Sequence, residues 1–344
     1  MKKVVIHGAL NVGIEDSDVP SLAEDEVMIR VHSVSVCGSD IHLFRGTYNG
    51  PKAYPIMFGH EWSGEVVQCG DKVVKFKKGD RVTGDCSKYC DDCVYCESDR
   101  NVCEHIQKYG ITVDGASAEL IVRRDKYLYR LPETLDYSLG SLVEPLAVSA
   151  NLIARIMKIR SDIGGKKILI CGAAGIGLGA MLQLKYLHGC DDITMLEISD
   201  FRRGMAEKLG VKTIKSLTDG ASGENYGSLY SKDNYDIVIE TTGNAKIIPL
   251  IFSKVKPLGV IGMLGMLSEA SFPQKMLVLK ALTIVGSIGG TGYFDEVIDF
   301  IDTHREQVGS LISHHFGLFE IASLKEGFET ASHGNESMKV QFDA

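Results

Sequence analysis

The chain has 344 residues, 44% hydrophobic and 24% charged, which is the balance of a globular protein long enough for two domains. Its 37 basic and 45 acidic residues leave a net charge of −8, which argues against binding along a nucleic-acid backbone. No apolar run approaches the roughly 18 residues of a membrane-spanning helix, and the first residues turn polar too early for a signal peptide and predict a strand. We therefore expect a cytoplasmic protein with a small-molecule substrate and no nucleic-acid or membrane partner.

Two kinds of secondary-structure pattern follow one another along the chain. Up to about residue 140, short alternating strands with glycine turns, such as residues 26–31, 64–67 and 79–82, predict a β-rich, barrel-like region. From about 165 to 288, apolar strands alternate with helices and predict a parallel sheet. The predicted strands there are 167–171, 193–196, 236–239, 259–263 and 283–285, and the predicted helices are 178–188 and 201–209. A last helix at 294–304 and a strand near 338–342 are expected to fold back onto the first region.

A glycine-rich turn follows the first strand of the predicted parallel sheet. Residues 172–177 read GAAGIG and lead into a helix, an arrangement in which backbone N–H groups and the helix dipole hold a pyrophosphate. The common pattern is GxGxxG, and Ala174 stands in its middle position, so a purely structural glycine turn is the alternative. The predicted cofactor contacts are Gly172, Ala174, Gly175, Ile176 and Gly177, with Thr242 and Gly265 further along the chain.

An acidic residue follows the next predicted strand. Glu197 lies 20 residues after Gly177, where a carboxylate accepts hydrogen bonds from the ribose hydroxyls of NAD and repels a 2′-phosphate. This predicts NAD rather than NADP. Arg202 is a further candidate cofactor contact, and either it or Arg203 is able to pair with a phosphate. The alternative for Glu197 is a solvated carboxylate at a strand end.

Four cysteines in a short stretch indicate a metal site. Cys90, Cys93, Cys96 and Cys103 lie within 14 residues, and four thiolates form a closed tetrahedral zinc site that stabilises a loop. Cys86 is a fifth thiol that could replace one ligand, and we place it outside the set.

A second set of possible metal ligands is spread over the first region. Cys37, His60, Glu61 and Glu144 offer one thiolate, one imidazole and two carboxylates, which suits a catalytic zinc with an exchangeable position. Each residue has a structural alternative. Cys37 could be a small buried apolar residue, His60 a turn residue, and Glu144 part of a helix start before Pro145.

The order of these motifs resembles the zinc-containing medium-chain dehydrogenases. The resemblance is carried by residues 37–42 (CGSDIH), 59–66 (GHEWSGEV), 79–82 (GDRV), the four-cysteine stretch and the nucleotide turn, and it covers essentially the whole chain. Residues 143–148 (VEPLAV) resemble the polyol and threonine dehydrogenase branch, which has a glutamate here. Residues 59–64, 114–119 and 311–317 are similar to 2-deoxy-scyllo-inosamine dehydrogenases. The gap between Cys96 and Cys103 is one residue shorter than is usual in the family.

The resemblance implies an α/β protein of two domains. The first is a GroES-like, β-rich catalytic domain, residues 1–145 and 289–344, and the second is a doubly wound parallel (Rossmann) NAD-binding domain, residues 146–288. The resemblance also implies a homodimer or homotetramer.

The resemblance further implies roles for the site residues. Cys37, His60 and Glu61 surround a catalytic zinc, and Glu144 is a direct or exchangeable ligand. Ser39 and His42 occupy the proton-relay positions, with Glu61 as a further catalytic residue.

The leading hypothesis is therefore an NAD-dependent polyol, sugar or cyclitol dehydrogenase. Threonine or another amino alcohol is the alternative substrate, and a non-catalytic protein that binds zinc and dinucleotide is the alternative from another class. The residues Phe44, Tyr48, Asn49 and Trp62 either line the substrate pocket or belong to the core or an interface.

Overall fold

The computed structural model describes residues 1–217 and 226–344. The described strands are β1 (Lys2–Gly8), β2 (Asn11–Asp16), β3 (Glu26–Ser35), β4 (Glu61–Cys69), β5 (Arg81–Gly84), β6 (Ser87–Lys88), β7 (Gln107–Lys108), β8 (Leu120–Arg124), β9 (Leu128–Arg130), β10 (Ile168–Cys171), β11 (Ile193–Leu196), β12 (Lys212–Ile214), β13 (Tyr235–Glu240), β14 (Val255–Met263), β15 (Thr283–Gly286), β16 (Ile312–Gly317) and β17 (Lys339–Asp343). The described helices are α1 (Gly38–Arg45), α2 (Tyr137–Gly140), α3 (Val143–Ile159), α4 (Gly175–Tyr186), α5 (Asp200–Lys208), α6 (Ile248–Lys254), α7 (Gln274–Leu279), α8 (Phe294–Thr303), α9 (Arg305–Gly309) and α10 (Ile321–Ser332).

The chain divides into two compact units, one formed by Met1–Ala147 with Gly289–Ala344 and the other by Val148–Ile288. The first unit is thus built from two separate stretches of chain. None of the helices in the described part of the chain combines the length and the apolar character needed to cross a membrane.

The first unit is organised around a largely antiparallel sheet with the order β16-β17-β3-β4-β5-β9, and β8 also pairs with β3. Alternate residues of β3, among them Val27, Ile29 and Val31, are almost completely buried, as the period-2 pattern of a strand with one core-facing side predicts. The last strand, β17, pairs antiparallel with β3, so the end of the chain does fold back onto the first region. The pairing brings distant segments of sequence into one sheet.

The second unit contains a six-stranded parallel sheet with the order β12-β11-β10-β13-β14-β15. In chain order this is 3-2-1-4-5-6, the doubly wound arrangement whose ligands bind beyond the carboxyl ends of the strands. All four residues of β10 are buried, as expected for a strand covered on both faces. The predicted α/β fold class with a parallel sheet is confirmed.

In the second unit, the starts of two predicted elements differ from the prediction by three residues or more. Helix α4 begins at Gly175 rather than at residue 178, because the glycine turn itself forms the first helical turn despite the low helix propensity of glycine. Strand β14 begins at Val255, four residues before the predicted 259, and runs through Pro257 and the positive-φ residue Leu258. Both residues disfavour a regular strand interior, so the sequence pattern concealed this part of the strand.

Candidate active site and cofactor-binding residues

Three of the predicted ligands converge because two strands pair antiparallel. Ser35, at the end of β3, lies opposite Glu61, at the start of β4, so Cys37 just beyond β3 meets His60 and Glu61. One ligand atom from each of these three residues lies within 4.8 Å of the others. His60 and Glu61 are buried and Cys37 is half-buried. A soft thiolate, an imidazole and a carboxylate at this spacing suit Zn²⁺.

The turn before His60 requires a glycine. Gly59 has φ +86°, and a Cβ atom at this position would lie 2.6 Å from Cγ1 of Val34. A larger residue would be strained and would push the turn away from β3. The glycine therefore keeps His60 close to Cys37.

Asp40 connects the two segments that carry the ligands. Its carboxylate is fully buried and accepts a hydrogen bond from the backbone N–H of Cys37 at 2.9 Å and one from Gly59 at 3.3 Å. One carboxylate oxygen also lies 3.6 Å from Nδ1 of His60. Burial alone would lower the pKa of His60, but Asp40 and Cys37 raise it well above its ordinary value. A carboxylate behind a ligating imidazole fixes its orientation and increases its basicity.

Glu61 has a buried cationic partner. Its carboxylate accepts a hydrogen bond from the ammonium of Lys339, which also donates to the carbonyl of Val36 at 3.1 Å. Burial alone would lower the pKa of Lys339, but the charge of Glu61 raises it. The pair places one positive charge beside a set of ligands that contains a carboxylate and a thiol able to ionise.

Glu144 lies in the first turn of α3 and is buried, but its described hydrogen bond is to a thiol. Oε1 accepts a hydrogen bond from Sγ of Cys86 at 3.0 Å. Burial raises the pKa of the Glu144 carboxyl and that of the Cys86 thiol above their ordinary values. Among the described residues, Glu144 is not part of the preformed cluster of Cys37, His60 and Glu61.

The two predicted proton-relay residues both lie on α1. The hydroxyl of Ser39 is 4.0 Å from Sγ of Cys37. His42 is exposed, and its Nδ1 is 2.9 Å from the hydroxyl of Thr47. Helix α1 therefore runs from the ligand cluster to a solvent-exposed imidazole.

The four cysteines of the short stretch form a second cluster. The described sulfur–sulfur distances are 3.8 Å for Cys90–Cys96, 3.6 Å for Cys93–Cys96, 3.9 Å for Cys93–Cys103 and 3.5 Å for Cys103–Cys90. A tetrahedral site with Zn–S bonds of about 2.3 Å has edges of about 3.8 Å. The backbone N–H groups of Asp92 and His105 point to two of the sulfurs, at 3.4 and 3.3 Å, as suits thiolates. These four residues fit a closed zinc site.

The nucleotide turn lies at the carboxyl end of β10. A Cβ atom on Gly177 would lie 1.9 Å from the carbonyl oxygen of Gly172, so the turn requires glycine there. Ala174 precedes α4 with φ −86° and caps it with no side-chain hydrogen bond. Alanine adopts this backbone conformation without strain, which explains why it replaces the middle glycine. Gly175 and Ile176 form the first turn of α4.

Glu197 follows β11 and supports the turn directly. Its two carboxylate oxygens accept hydrogen bonds from the backbone N–H groups of Ala173 and Ser199, each at 2.9 Å. Arg202 lies in α5, where burial lowers its pKa and the charge of Glu197 opposes that shift. Arg203 donates to the carbonyls of Glu197 and Ile198 at 2.9 Å and pairs with Asp200. The guanidinium of Arg203 is thus hydrogen-bonded to the chain just after β11.

Thr242 and Gly265 meet around a buried carboxylate, Glu240, that the sequence motifs did not predict. Oε1 of Glu240 accepts hydrogen bonds from the hydroxyl and the N–H of Thr242 and from the N–H of Gly243. A Cβ atom on Gly265 would lie 2.3 Å from Oε2 of Glu240. The sequence signal that could have identified Glu240 is its position at the end of the apolar strand YDIVIE.

The candidate pocket aromatics separate into two groups. Phe44 and Trp62 are buried in the core, and Phe44 stacks on Phe328 with ring centroids 4.6 Å apart. Tyr48 is half-buried and Asn49 is exposed. The charges of His60 and Cys37 both influence the pKa of Tyr48, which burial raises. Of the three candidate aromatics, Tyr48 is the one that is not fully buried.

Comparison with known families agrees with this geometry. Residues 23–133 match the alcohol dehydrogenase GroES-like domain, and residues 175–303 match the zinc-binding dehydrogenase family. An uncharacterised zinc-type alcohol dehydrogenase-like protein of Escherichia coli (strain K12) is 30% identical over 336 residues, which cover 95% of this chain and 94% of that protein. The chain belongs to the zinc-dependent medium-chain dehydrogenase family. It is an oxidoreductase that acts on alcohol groups, and the resemblance of the sequence to this family is confirmed.

Individual relatives place the chain in the polyol and threonine branch of this family. A sorbitol dehydrogenase of Bacillus subtilis (strain 168) is 28% identical over 348 residues, covering 99% of this chain and 96% of that protein. Among solved structures, a putative zinc-binding dehydrogenase of Sinorhizobium meliloti 1021 bound to NADP has a TM-score of 0.87 and 26% identity. That alignment covers 100% of this chain and 99% of the other.

The motifs did not reveal the partners of the ligands. Asp40 was detectable, because it follows Cys37 by three residues at a helix start and so matches a capping position. Lys339 and the Cys86–Glu144 contact gave no local signal, since their partners are far away in sequence.

Proposed function

We propose that the chain is an NAD-dependent dehydrogenase for a secondary alcohol of a polyol, sugar or cyclitol, including amino-cyclitols of the 2-deoxy-scyllo-inosamine type. The observation that carries the proposal is the cluster of Cys37, His60 and Glu61, with the carboxylate of Glu144 buried in the same unit. A site rich in carboxylates offers acceptors for several hydroxyl groups. The similarity to a sorbitol dehydrogenase over the full chain supports the same substrate class.

In this proposal Cys37, His60 and Glu61 hold a catalytic zinc, with Glu144 as a direct or exchangeable further ligand. Cys90, Cys93, Cys96 and Cys103 hold a structural zinc. The donor types and the spacing of both clusters fit this metal. A bound zinc supplies Lewis acidity that favours the deprotonated substrate hydroxyl, and a bound NAD accepts the hydride. Asp40 orients His60, and Lys339 balances the charge of Glu61.

The proton of the substrate hydroxyl leaves along α1. Ser39, beside Cys37, would receive it and pass it towards His42. His42 is exposed and hydrogen-bonded to Thr47, and an imidazole exchanges protons with water near neutral pH. Replacing Ser39 with Ala should lower kcat by about 10² to 10⁴-fold without loss of zinc.

We propose NAD as the preferred cofactor because of Glu197. Its carboxylate lies at the end of β11 against the glycine turn, where it repels a 2′-phosphate. Arg203 is bound to backbone carbonyls at the same strand end, which disfavours a role in holding a phosphate. Comparing kcat/KM for NAD and NADP in wild type and Glu197→Gln tests this, and a variant with an unchanged cofactor ratio would contradict it.

The substrate class is tested by NADH formation with sugar alcohols, cyclitols, amino-cyclitols and L-threonine, before and after zinc chelation. We expect zinc-dependent turnover of a polyol or cyclitol. Turnover of threonine alone would assign the chain to the amino-alcohol alternative. If no NADH forms with any substrate although zinc and NAD are demonstrably bound, the result would favour a non-catalytic binding protein.

The oligomeric state is measured on the same preparation of the protein. We propose a homodimer or homotetramer, on the resemblance to the family. Light scattering after size-exclusion chromatography gives the mass in solution, and a monomer of 37.5 kDa would contradict the proposal.

A further inference from the structure

Cys86 is a buried thiol that belongs to neither cluster of possible metal ligands. It lies between β5 and β6 and is 6% exposed. Its Sγ donates a hydrogen bond to Oε1 of Glu144 at 3.0 Å. The contact joins residues 58 positions apart, so the fold of the first unit, and not local sequence, brings them together.

The surroundings of this pair are charged and enclosed. Asp85 next to Cys86 is buried, and one of its oxygens accepts the N–H of Ser87 at 2.8 Å. The ammonium of Lys108 donates to the hydroxyl of Ser87 at 2.7 Å. The start of α3 also lies beside the segments that carry the ligands. The hydroxyls of Ser141, three residues before Glu144, and Ser35, two residues before Cys37, share a hydrogen bond of 2.7 Å. Glu144 is therefore held close to the ligand segments while it is hydrogen-bonded to Cys86.

A buried carboxylate needs a partner in every position it occupies. If Glu144 leaves a metal ligand position with no donor to receive it, the unsatisfied oxygen costs free energy. A thiol is a weak neutral donor, so it stabilises the displaced carboxylate without binding it as strongly as a cation would. Such a donor suits a carboxylate that binds the metal and leaves it in each catalytic cycle.

We propose that Cys86 is a positioning residue that receives the Glu144 carboxylate when substrate oxygen takes a coordination position at the catalytic metal. The inference rests on the proposed zinc site. Without the thiol, the displaced Glu144 carboxylate would have no donor to receive it, and it would compete with the substrate for the metal. Loss of the Cys86 thiol should therefore weaken substrate binding more than it slows the chemical step.

The test uses protein with zinc in the four-cysteine cluster and cobalt(II) in the catalytic cluster. The variants are Cys86→Ala, Cys86→Ser and Glu144→Gln. Cys69→Ala is the control, because Cys69 is a half-exposed thiol in the same unit.

We expect Cys86→Ala to change the cobalt d–d absorption and to raise KM for the alcohol about tenfold, equivalent to about 1.4 kcal/mol, with kcat within about twofold. Cys86→Ser, which keeps a hydroxyl donor, should restore both quantities. In a Glu144→Gln background, Cys86→Ala should have no further effect.

Two results would overturn the proposal. A loss of thiolate-to-cobalt charge-transfer absorption in Cys86→Ala would make Cys86 a metal ligand. A d–d spectrum and KM that match those of Cys69→Ala would remove any role for the contact. A wild-type protein that takes up cobalt but oxidises no alcohol would contradict the proposed function, and the spectral comparison would still decide the role of Cys86.

Discussion

The ammonium of Lys339 donates a hydrogen bond to the carboxylate of Glu61, although 278 positions separate them in sequence. Both side chains are almost fully buried, at 7% and 1% exposure. Strand β17 carries Lys339, and β4 carries Glu61 beside His60. The sheet therefore places a fixed positive charge directly behind the proposed metal ligands.

Replacing Lys339 with Met should leave Glu61 buried without a cation. We expect the free energy of unfolding of the metal-free protein to fall by about 3–5 kcal/mol. The loss should be smaller with zinc bound, because the metal replaces the missing positive charge. Chemical denaturation with and without zinc measures both values, with Lys325→Met as an exposed control. An equal loss in the two states would contradict this account of Lys339.

Replacing Asp40 with Asn keeps the shape of a side chain that joins Cys37, Gly59 and His60 but removes its charge. The imidazole of His60 then becomes a weaker ligand. Zinc affinity should fall by about 10–100-fold, as measured by competition with a chromogenic chelator. Asp18→Asn, at an exposed position, is the control. Unaltered affinity in Asp40→Asn would show that the carboxylate has no influence on the metal.

Arg123 supports the His60 segment from a distance. Its guanidinium donates to the carbonyls of Asp114 and Gly115, at 3.2 and 2.7 Å, and lies 4.0 Å from the ring centroid of Tyr109. Gly115 in turn donates to the carbonyl of Met57 at 2.7 Å, just before the ligand turn.

Arg123→Met should therefore lower the free energy of unfolding by about 3 kcal/mol and speed zinc release. The neighbouring Arg124 is 54% exposed and pairs with Asp25, so Arg124→Met should cost less than about 1 kcal/mol. Denaturation midpoints and zinc-release rates compare the two variants. Similar behaviour of both would refute the supporting role of Arg123.

Replacing Cys103 with Ser removes one of four thiolates whose spacing matches a zinc tetrahedron. We expect one metal ion fewer per chain by elemental analysis and a lower thermal midpoint, since the loop loses its stabilising ion. The metal at Cys37 and His60 should remain. Cys69→Ser controls for the loss of a thiol alone, and full metal content in Cys103→Ser would rule out the four-sulfur site.

The parts of the fold that the sequence predicted are those with local causes. The four-residue apolar strand β10, the glycine turn and the cysteine spacing each carry their physical reason within a few residues. Asp40 also had a local signal, its position three residues after Cys37. The pairs Glu61–Lys339 and Cys86–Glu144 did not, because strand order and register decide which distant side chains meet. The first turn of α4 was missed because tertiary context overrides the low helix propensity of Gly175 and Gly177.

Strand β17 is an inner strand of its sheet, between β16 and β3, and this has a consequence for synthesis on the ribosome. The second unit, Val148–Ile288, is contiguous, so it is able to fold as soon as its own residues have emerged. The sheet that carries Glu61 must wait for residues 312–343. Until then the end of β3 at residues 33–35, which β8 does not cover, lacks a partner on that side, and Glu61 lacks its cation. An unpaired strand edge is a template for pairing with another chain, so this interval of translation exposes the nascent chain to aggregation.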